Sequence, residues 1–139
     1  MNNGLTPHGP GFRFLDCFEL SDGRGVGRWT PREDLWFFND HFPGNPLVPG
    51  VILIEFAAQA AGVHWMHGAG EGGDALFVAS VDAFRVMSSV APGTPLEAMV
   101  ECVRELGPLA QFEVEISTTG KVIAKGRIML SRRVGHAGE

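Results

Sequence analysis

His41 and Glu55 are the two side chains whose types and surroundings suggest chemistry. An imidazole with an ordinary pKa near ~6.5 can accept a proton at neutral pH. A carboxyl kept protonated by an apolar cavity can return one. Held near a common cavity, the two are the ingredients of general acid–base catalysis. Gly50 and Val51 add a third ingredient. They stand where a helix should begin, and the first N–H groups of a helix have no intrahelical acceptor. Together with the helix dipole, such groups can bind a developing oxyanion. Gln59 lies at i+4 from Glu55, so it shares one helix face with the acid, one turn on.

The setting of Glu55 is what makes it unusual. Residues 51–61 read Val-Ile-Leu-Ile-Glu-Phe-Ala-Ala-Gln-Ala-Ala, apolar on every side of a helical wheel except at Glu55 and Gln59. A helix apolar all round is a buried one. An ionised carboxylate buried without partners is very unfavourable and responds with a raised pKa. Two readings stand. Glu55 is a structural acid, bonded by Gln59 or a backbone donor or exposed at the helix edge, or it is the partner of His41.

The rest of the chain must position these residues. Phe12 to Leu20 alternates and predicts a strand, and Val26 to Trp29 a second after the turn at 21–25. Pro31 to Trp36 has the composition of one helical turn. Residues 37–50 hold three prolines and two glycines among aromatic and apolar residues, which predicts a packed loop. Pro49 suits the first turn of a helix that runs to about Met66. The glycine run 68–73 ends it in a loop. That run matches G-x-G-x-x-G, but it follows a helix, whereas a dinucleotide fingerprint follows a strand.

Strand-like runs then cover 75–86, 96–102, 111–116 and 124–130, the last two joined by a hairpin signal at Thr118-Thr119-Gly120-Lys121. Clean alternation implies an antiparallel sheet with one face in water. The expected architecture is α+β: a single sheet curled around one central helix, whose alanines let the sheet and a second subunit approach closely.

Composition narrows the function classes. The chain has 139 residues, 45% hydrophobic and 19% charged, which fits one globular domain. Residues 1–6 and 132–139 are expected to be loosely ordered tails. The formal charge is -5, and no basic run exceeds Arg132-Arg133, so no nucleic-acid partner is expected. The first residues lack a basic region and an apolar stretch, so no secretory signal is expected. Leu47 to Met66 carries Glu55, Gln59 and His64. A mid-bilayer acid costs roughly 2.5–3.5 kcal/mol, so a membrane span is not expected either. Cys17 and Cys102 are too few for a disulfide framework, and a reducing, cytoplasmic setting follows.

The segment His41-Phe42-Pro43-Gly44-Asn45-Pro46-Leu47-Val48-Pro49-Gly50-Val51, continued by Glu55-Phe56-Ala57-Ala58-Gln59, resembles the signature of the β-hydroxyacyl-acyl-carrier-protein dehydratases of the hot-dog fold. Residues 7–16, Pro-His-Gly-Pro-Gly-Phe-Arg-Phe-Leu-Asp, are similar to the family's opening segment. Phe77 to Leu96, with Val90-Ala91-Pro92-Gly93, is similar to a later strand and turn. The resemblance implies a hot-dog fold. It also implies removal of water from a carrier-bound 3-hydroxyacyl thioester, giving a trans-2-enoyl thioester. Carried over by position, His41 is the base at the α-carbon. Glu55 handles the leaving hydroxyl, Gly50 donates to the thioester carbonyl with Val51 beside it, and Gln59 orients Glu55. The resemblance further implies no metal and no cofactor, and a homodimer or an oligomer of dimers. In that dimer the His and the acid of one site come from opposite subunits, with the acyl chain in a tunnel between them. Glu rather than Asp at 55 is similar to the pure dehydratases, so no isomerase activity is expected.

The chain departs from that pattern at two places. Asp40 replaces a Gly before the His, either acting on the imidazole or facing water. Val86-Met87-Ser88-Ser89 replaces a basic run that would help dock an acidic carrier, leaving Arg85, Arg13 and Arg104 as candidates and suggesting a specialised pathway of polyene or polyketide type. Two other functions stay in competition: a hot-dog thioesterase, with Glu55 activating water, and a non-catalytic acyl- or carrier-binding partner of an active homologue. His8 and His136 read as loop or tail residues. His64 and His67 form an i, i+3 pair without an evident third metal ligand.

Overall fold

The computed structural model describes residues 5–69 and 76–132. Strands β1 (Cys17–Ser21) and β2 (Arg24–Trp29) come first, then helix α1 (Gly50–Ala69), then β3 (Leu76–Val86), β4 (Leu96–Leu106), β5 (Leu109–Thr118) and β6 (Lys121–Arg132). All six strands form one sheet in the order β1-β2-β4-β5-β6-β3, antiparallel throughout. The chain thus has the expected α+β hot-dog architecture, a sheet wrapped around one long helix.

Turn chemistry sets the register. Asp22 and Gly23 have φ of 54° and 79°, and Thr119 and Gly120 have φ of 47° and 81°. Two successive positive φ values are what a type I′ hairpin turn requires. From these turns the alternation of side chains follows. β4 buries Leu96, Ala98 and Val100, and β5 buries Ala110, Phe112, Val114 and Ile116. The intervening residues carry charge. On the outer face Arg28 bonds Glu97 and Glu19, and Arg127 bonds Glu113.

α1 fills the concave face. Leu53, Phe56, Ala57, Ala60 and Ala61 are almost fully buried there. Its closest approach to the sheet depends on small residues. A Cβ at Gly27 would lie 2.8 Å from the Ala60 Cβ and 2.7 Å from Leu15 Cδ1. At Gly126 a Cβ would lie 2.5 Å from the Phe84 Cα, where β3 is irregular and Ala83 has φ 53°.

The structure corrects several expected elements. Residues 12–16 do not continue β1. Pro10–Phe12 form a short 3-10 turn, the Phe12 carbonyl and the Phe14 N–H bond the Gln59 side chain, and the backbone returns to a strand partner only at Asp16, whose N–H bonds the Arg28 carbonyl. Alternation alone could not reveal that competitor. Residues 31–36 form turns and no helix. α1 continues past Met66 to Ala69, so Gly68 lies in its last turn, while residues 70–73 of the glycine run fall outside the described residues. Of the tails expected at 1–6 and 132–139, residues 1–4 and 133–139 lie outside the described residues. Thr6 is buried, and Arg132 completes β6 with its guanidinium 4.5 Å from the Trp65 ring centre. His136 lies outside the described residues.

Candidate active site

Gln59 is the buried polar residue of the apolar helix, and its amide is fully used. Its Oε1 accepts the Phe14 N–H at 2.9 Å, and its Nε2 donates to the Phe12 carbonyl at 2.9 Å. These bonds fix the amide's orientation, because only the NH₂ end can meet a carbonyl. The same Nε2 donates to Glu55 Oε2 at 3.1 Å. One turn of helix thus carries a backbone clamp and an acid in a single hydrogen-bonded chain.

Glu55 is partly sheltered, with 23% of its side chain exposed. It lines a cavity of about 290 Å³ between α1, the strand β3 and the opening segment. Ala58, Val63, Met66, Leu76, Val78 and Leu130 give that cavity an apolar wall. The cavity is slightly below the usual range for small-molecule sites, about 300–1,000 Å³. A larger hollow of about 620 Å³ lies on the outer face of the sheet, lined by Arg24, Glu101, Glu113, Lys125 and Arg127. It is a groove among mutually paired surface charges, and neither Glu55 nor His41 reaches it.

His41 is positioned by its own loop. Its backbone N–H bonds the Phe37 carbonyl at 3.0 Å, and its carbonyl accepts the Leu47 N–H at 2.8 Å. The ring stacks on Phe42 with centroids 4.2 Å apart. Nδ1 lies 3.1 Å from the Leu47 carbonyl oxygen. A carbonyl can only accept, so Nδ1 carries a proton, and the tautomer this selects has its lone pair on Nε2. The loop is packed only at its ends. Phe37, Phe38 and Val48 are buried, while residues 42–46 are exposed.

Gly50 opens α1, with Leu53 N–H already bonded to the Pro49 carbonyl. The N–H groups of Gly50 and Val51 have no acceptor among the described residues. Both residues are exposed, and the nearest atom to a Cβ built on Gly50 is Val86 Cγ2 at 3.8 Å.

Within one subunit Glu55 and Gln59 meet, whereas His41, Gly50 and Val51 do not line the cavity that holds Glu55. A residue read as mere loop does reach the acid: His8 Nε2 lies 3.4 Å from Glu55 Oε2. Its signal was the similarity of residues 7–16 to the family's opening segment. Arg13 is no longer available for docking a carrier. Its guanidinium is half-buried and bonds the His8 carbonyl at 2.6 Å. Arg85 and Arg104 remain exposed, and Asp40 faces water. His64 is enclosed near the rings of Phe18 and Phe112, and His67 stacks on Phe18. Among the described residues, no group of three or more His, Cys, Asp or Glu gathers as a metal site would require. No described helix is long and apolar enough to cross a membrane.

A curled antiparallel sheet around an apolar helix, with a carboxyl on that helix at the wall of an oily cavity, defines a hot-dog protein with an acid in its ligand pocket. Residues 20–127 match the ApeI-like family, described as ApeI dehydratase, and the chain belongs to this dehydratase family. It is similar to the 3-hydroxyacyl-[acyl-carrier-protein] dehydratase FabZ of Halalkalibacterium halodurans, at 34% identity over 131 residues, 91% of this chain and 92% of that one. Among solved structures it resembles the dehydratase heterocomplex ApeI:P from Xenorhabdus doucetiae. The TM-score is 0.78 at 24% identity, covering 94% of this chain and 89% of that one. It also resembles the fluoroacetyl-CoA thioesterase FlK, with TM-score 0.66 and 13% identity, covering 83% of this chain and 89% of that one. These structural likenesses show the fold alone. The fold is shared by dehydratases and thioesterases, so it does not choose between them.

Proposed function

We propose that this protein dehydrates 3-hydroxyacyl thioesters borne on an acyl carrier protein, giving trans-2-enoyl thioesters, in fatty-acid or polyene/polyketide-type biosynthesis in the cytoplasm. His41 Nε2 removes the α-proton. The enolate oxygen is held by the Gly50 N–H at the start of α1, with Val51 beside it. Glu55 gives a proton to the departing hydroxyl, and water leaves. Gln59 holds Glu55 in place.

The observation that carries the reading is the Nδ1 contact of His41 with the Leu47 carbonyl, which leaves Nε2 as a base. A thioesterase using Glu55 to activate water has no need of a second, pre-set base. The FabZ relatives support the same reaction class.

The two halves of the site come together when two subunits pair. β3 is one of the two edge strands of the sheet, opposite β1, and it exposes Phe77, Val81 and Val86. Unpaired apolar edges are templates for pairing with another chain. A homodimer joined along β3 brings His41 of one protomer towards the cavity of its partner. Size-exclusion chromatography with light scattering tests this arrangement, and the expected mass is twice the 15.0 kDa chain or an even multiple of it, whereas the mass of a single chain would contradict it.

Incubation with a 3-hydroxyacyl carrier thioester tests the reaction. Enoyl thioester is the expected product. Free acid would make the protein a thioesterase, and bound but unchanged substrate would make it a non-catalytic partner.

A further inference from the structure

We propose that His8 is a positioning residue for Glu55: its Nε2–H and the Gln59 amide together occupy Oε2, so the proton Glu55 exchanges is carried on Oε1. This inference rests on the dehydratase reading for its consequence, and on geometry for its substance.

Both contacts of Glu55 with neighbouring side chains fall on the same oxygen. Gln59 Nε2 is 3.1 Å from Oε2, and His8 Nε2 is 3.4 Å from it. The Gln59 amide cannot be reversed, because its Oε1 is committed to the Phe14 N–H. Oε2 therefore always meets a donor, and among the described residues no side-chain donor bonds Oε1. A proton on the carboxyl is better placed on the oxygen that no N–H opposes. That oxygen is then the one available to a hydroxyl leaving the substrate.

The His8 tautomer follows from the same geometry. Nδ1 is enclosed and has no hydrogen-bond partner among the described residues. A proton there would leave a buried N–H unpaired and would turn the Nε2 lone pair against the carboxylate. A proton on Nε2 removes the repulsion and leaves a lone pair instead of an N–H at the enclosed Nδ1. At 3.4 Å the two groups are at ion-pair distance, and a hydrogen bond between them forms once substrate tightens the site. The ring is nonetheless placed by its backbone. The His8 N–H bonds Thr6 Oγ1 at 3.3 Å, and the His8 carbonyl accepts Arg13 at 2.6 Å. The strap from Thr6 to Phe14 is thus tied to itself by Arg13 and to α1 by Gln59.

Two measurements on the full chain test the proposal. In the first, His8 is replaced by Gln, whose amide nitrogen falls near the Nε2 position, by Asn, whose amide falls near Nδ1, and by Leu. The expected result is a roughly tenfold or greater fall in kcat for His8→Asn and His8→Leu, with KM within about twofold, and recovery of most of kcat in His8→Gln. Wild-type kcat in folded His8→Leu, or equal losses in the Gln and Asn variants, would overturn it. In the second, long-range ¹⁵N–¹H correlation spectra report which ring nitrogen of His8 is protonated. The Nε2–H form, altered by Glu55→Gln, is expected, and the Nδ1–H form would overturn the proposal. This spectrum does not depend on turnover. A wild-type protein that made no enoyl product would defeat the dehydratase reading while the tautomer still decided the role of His8.

Discussion

Gln59 concentrates more hydrogen bonds than any other side chain at the site, and its loss should be costly in a specific way. Gln59→Leu keeps the volume but strips partners from the Phe14 N–H, the Phe12 carbonyl and Glu55. A buried group left unpaired costs about 1–3 kcal/mol. Urea denaturation of Gln59→Leu should show a loss of roughly 2–6 kcal/mol, the sum of two such groups, and kcat should fall with it. The two cysteines give a separate check at this scale. Burial, the largest influence, pushes the Cys102 thiol up, a backbone hydrogen bond with Arg104 opposes it, and Glu105 adds to the rise. A raised thiol holds less thiolate at mildly alkaline pH, and the thiolate is the nucleophile. Iodoacetamide should therefore label exposed Cys17 well before Cys102, as peptide mapping would read, with the gap narrowing as pH rises. The residues of the site differ in how far their sequence context exposed them. Glu55 and Gln59 were legible because they interrupt an otherwise apolar helix. His8 was not, because a histidine in a Pro/Gly-rich opening segment carries no periodicity, and only the folded strap brings it to the acid.

The elements explain why. α1 and strands β4 to β6 follow patterns fixed by burial on one face, so their existence could be read directly from alternation and from an unbroken apolar run. The opening segment could not, since Phe12, Phe14 and Phe18 alternate as a strand would while the backbone between them bonds to a helix side chain. Side-chain competition for backbone groups is a tertiary fact. Close approach of elements is likewise tertiary, and it makes a sharp prediction. At Gly126 a Cβ meets the Phe84 backbone, which cannot swing aside as a flexible side chain would. Gly126→Ala should destabilise by roughly 1–3 kcal/mol, the usual cost of overpacking, whereas Gly93→Ala, with open space at its Cβ, should cost only what its φ of 85° imposes. Thermal unfolding followed by circular dichroism compares the two.

At the scale of the molecule, one subunit brings Glu55 and Gln59 together and leaves His41 off their cavity, and the proposed site is completed by pairing. The sequence carried no direct record of this, because a helix that is apolar all round does not say which face meets the sheet and which meets another chain. The exposed edge β3, with Phe77, Val81 and Val86, and Val51 at the start of α1 mark the face left open. Val81→Asp should shift the protein to monomer in light scattering and abolish turnover together. Mixing His41→Ala with Glu55→Gln should restore part of the activity through heterodimers that keep one intact site. No recovery in verified heterodimers would confine both residues to one subunit.

The account turns on His41 and Glu55 moving protons on a thioester. Its most direct test is mass spectrometry of the acyl group after incubation of a 3-hydroxyacyl carrier thioester with wild-type, His41→Ala and Glu55→Gln protein. The wild type should remove one water, and each variant should be slowed by about 10²–10⁴-fold, the usual contribution of one general acid or base, with an unchanged circular dichroism spectrum. Near wild-type loss of water in either folded variant would contradict the account.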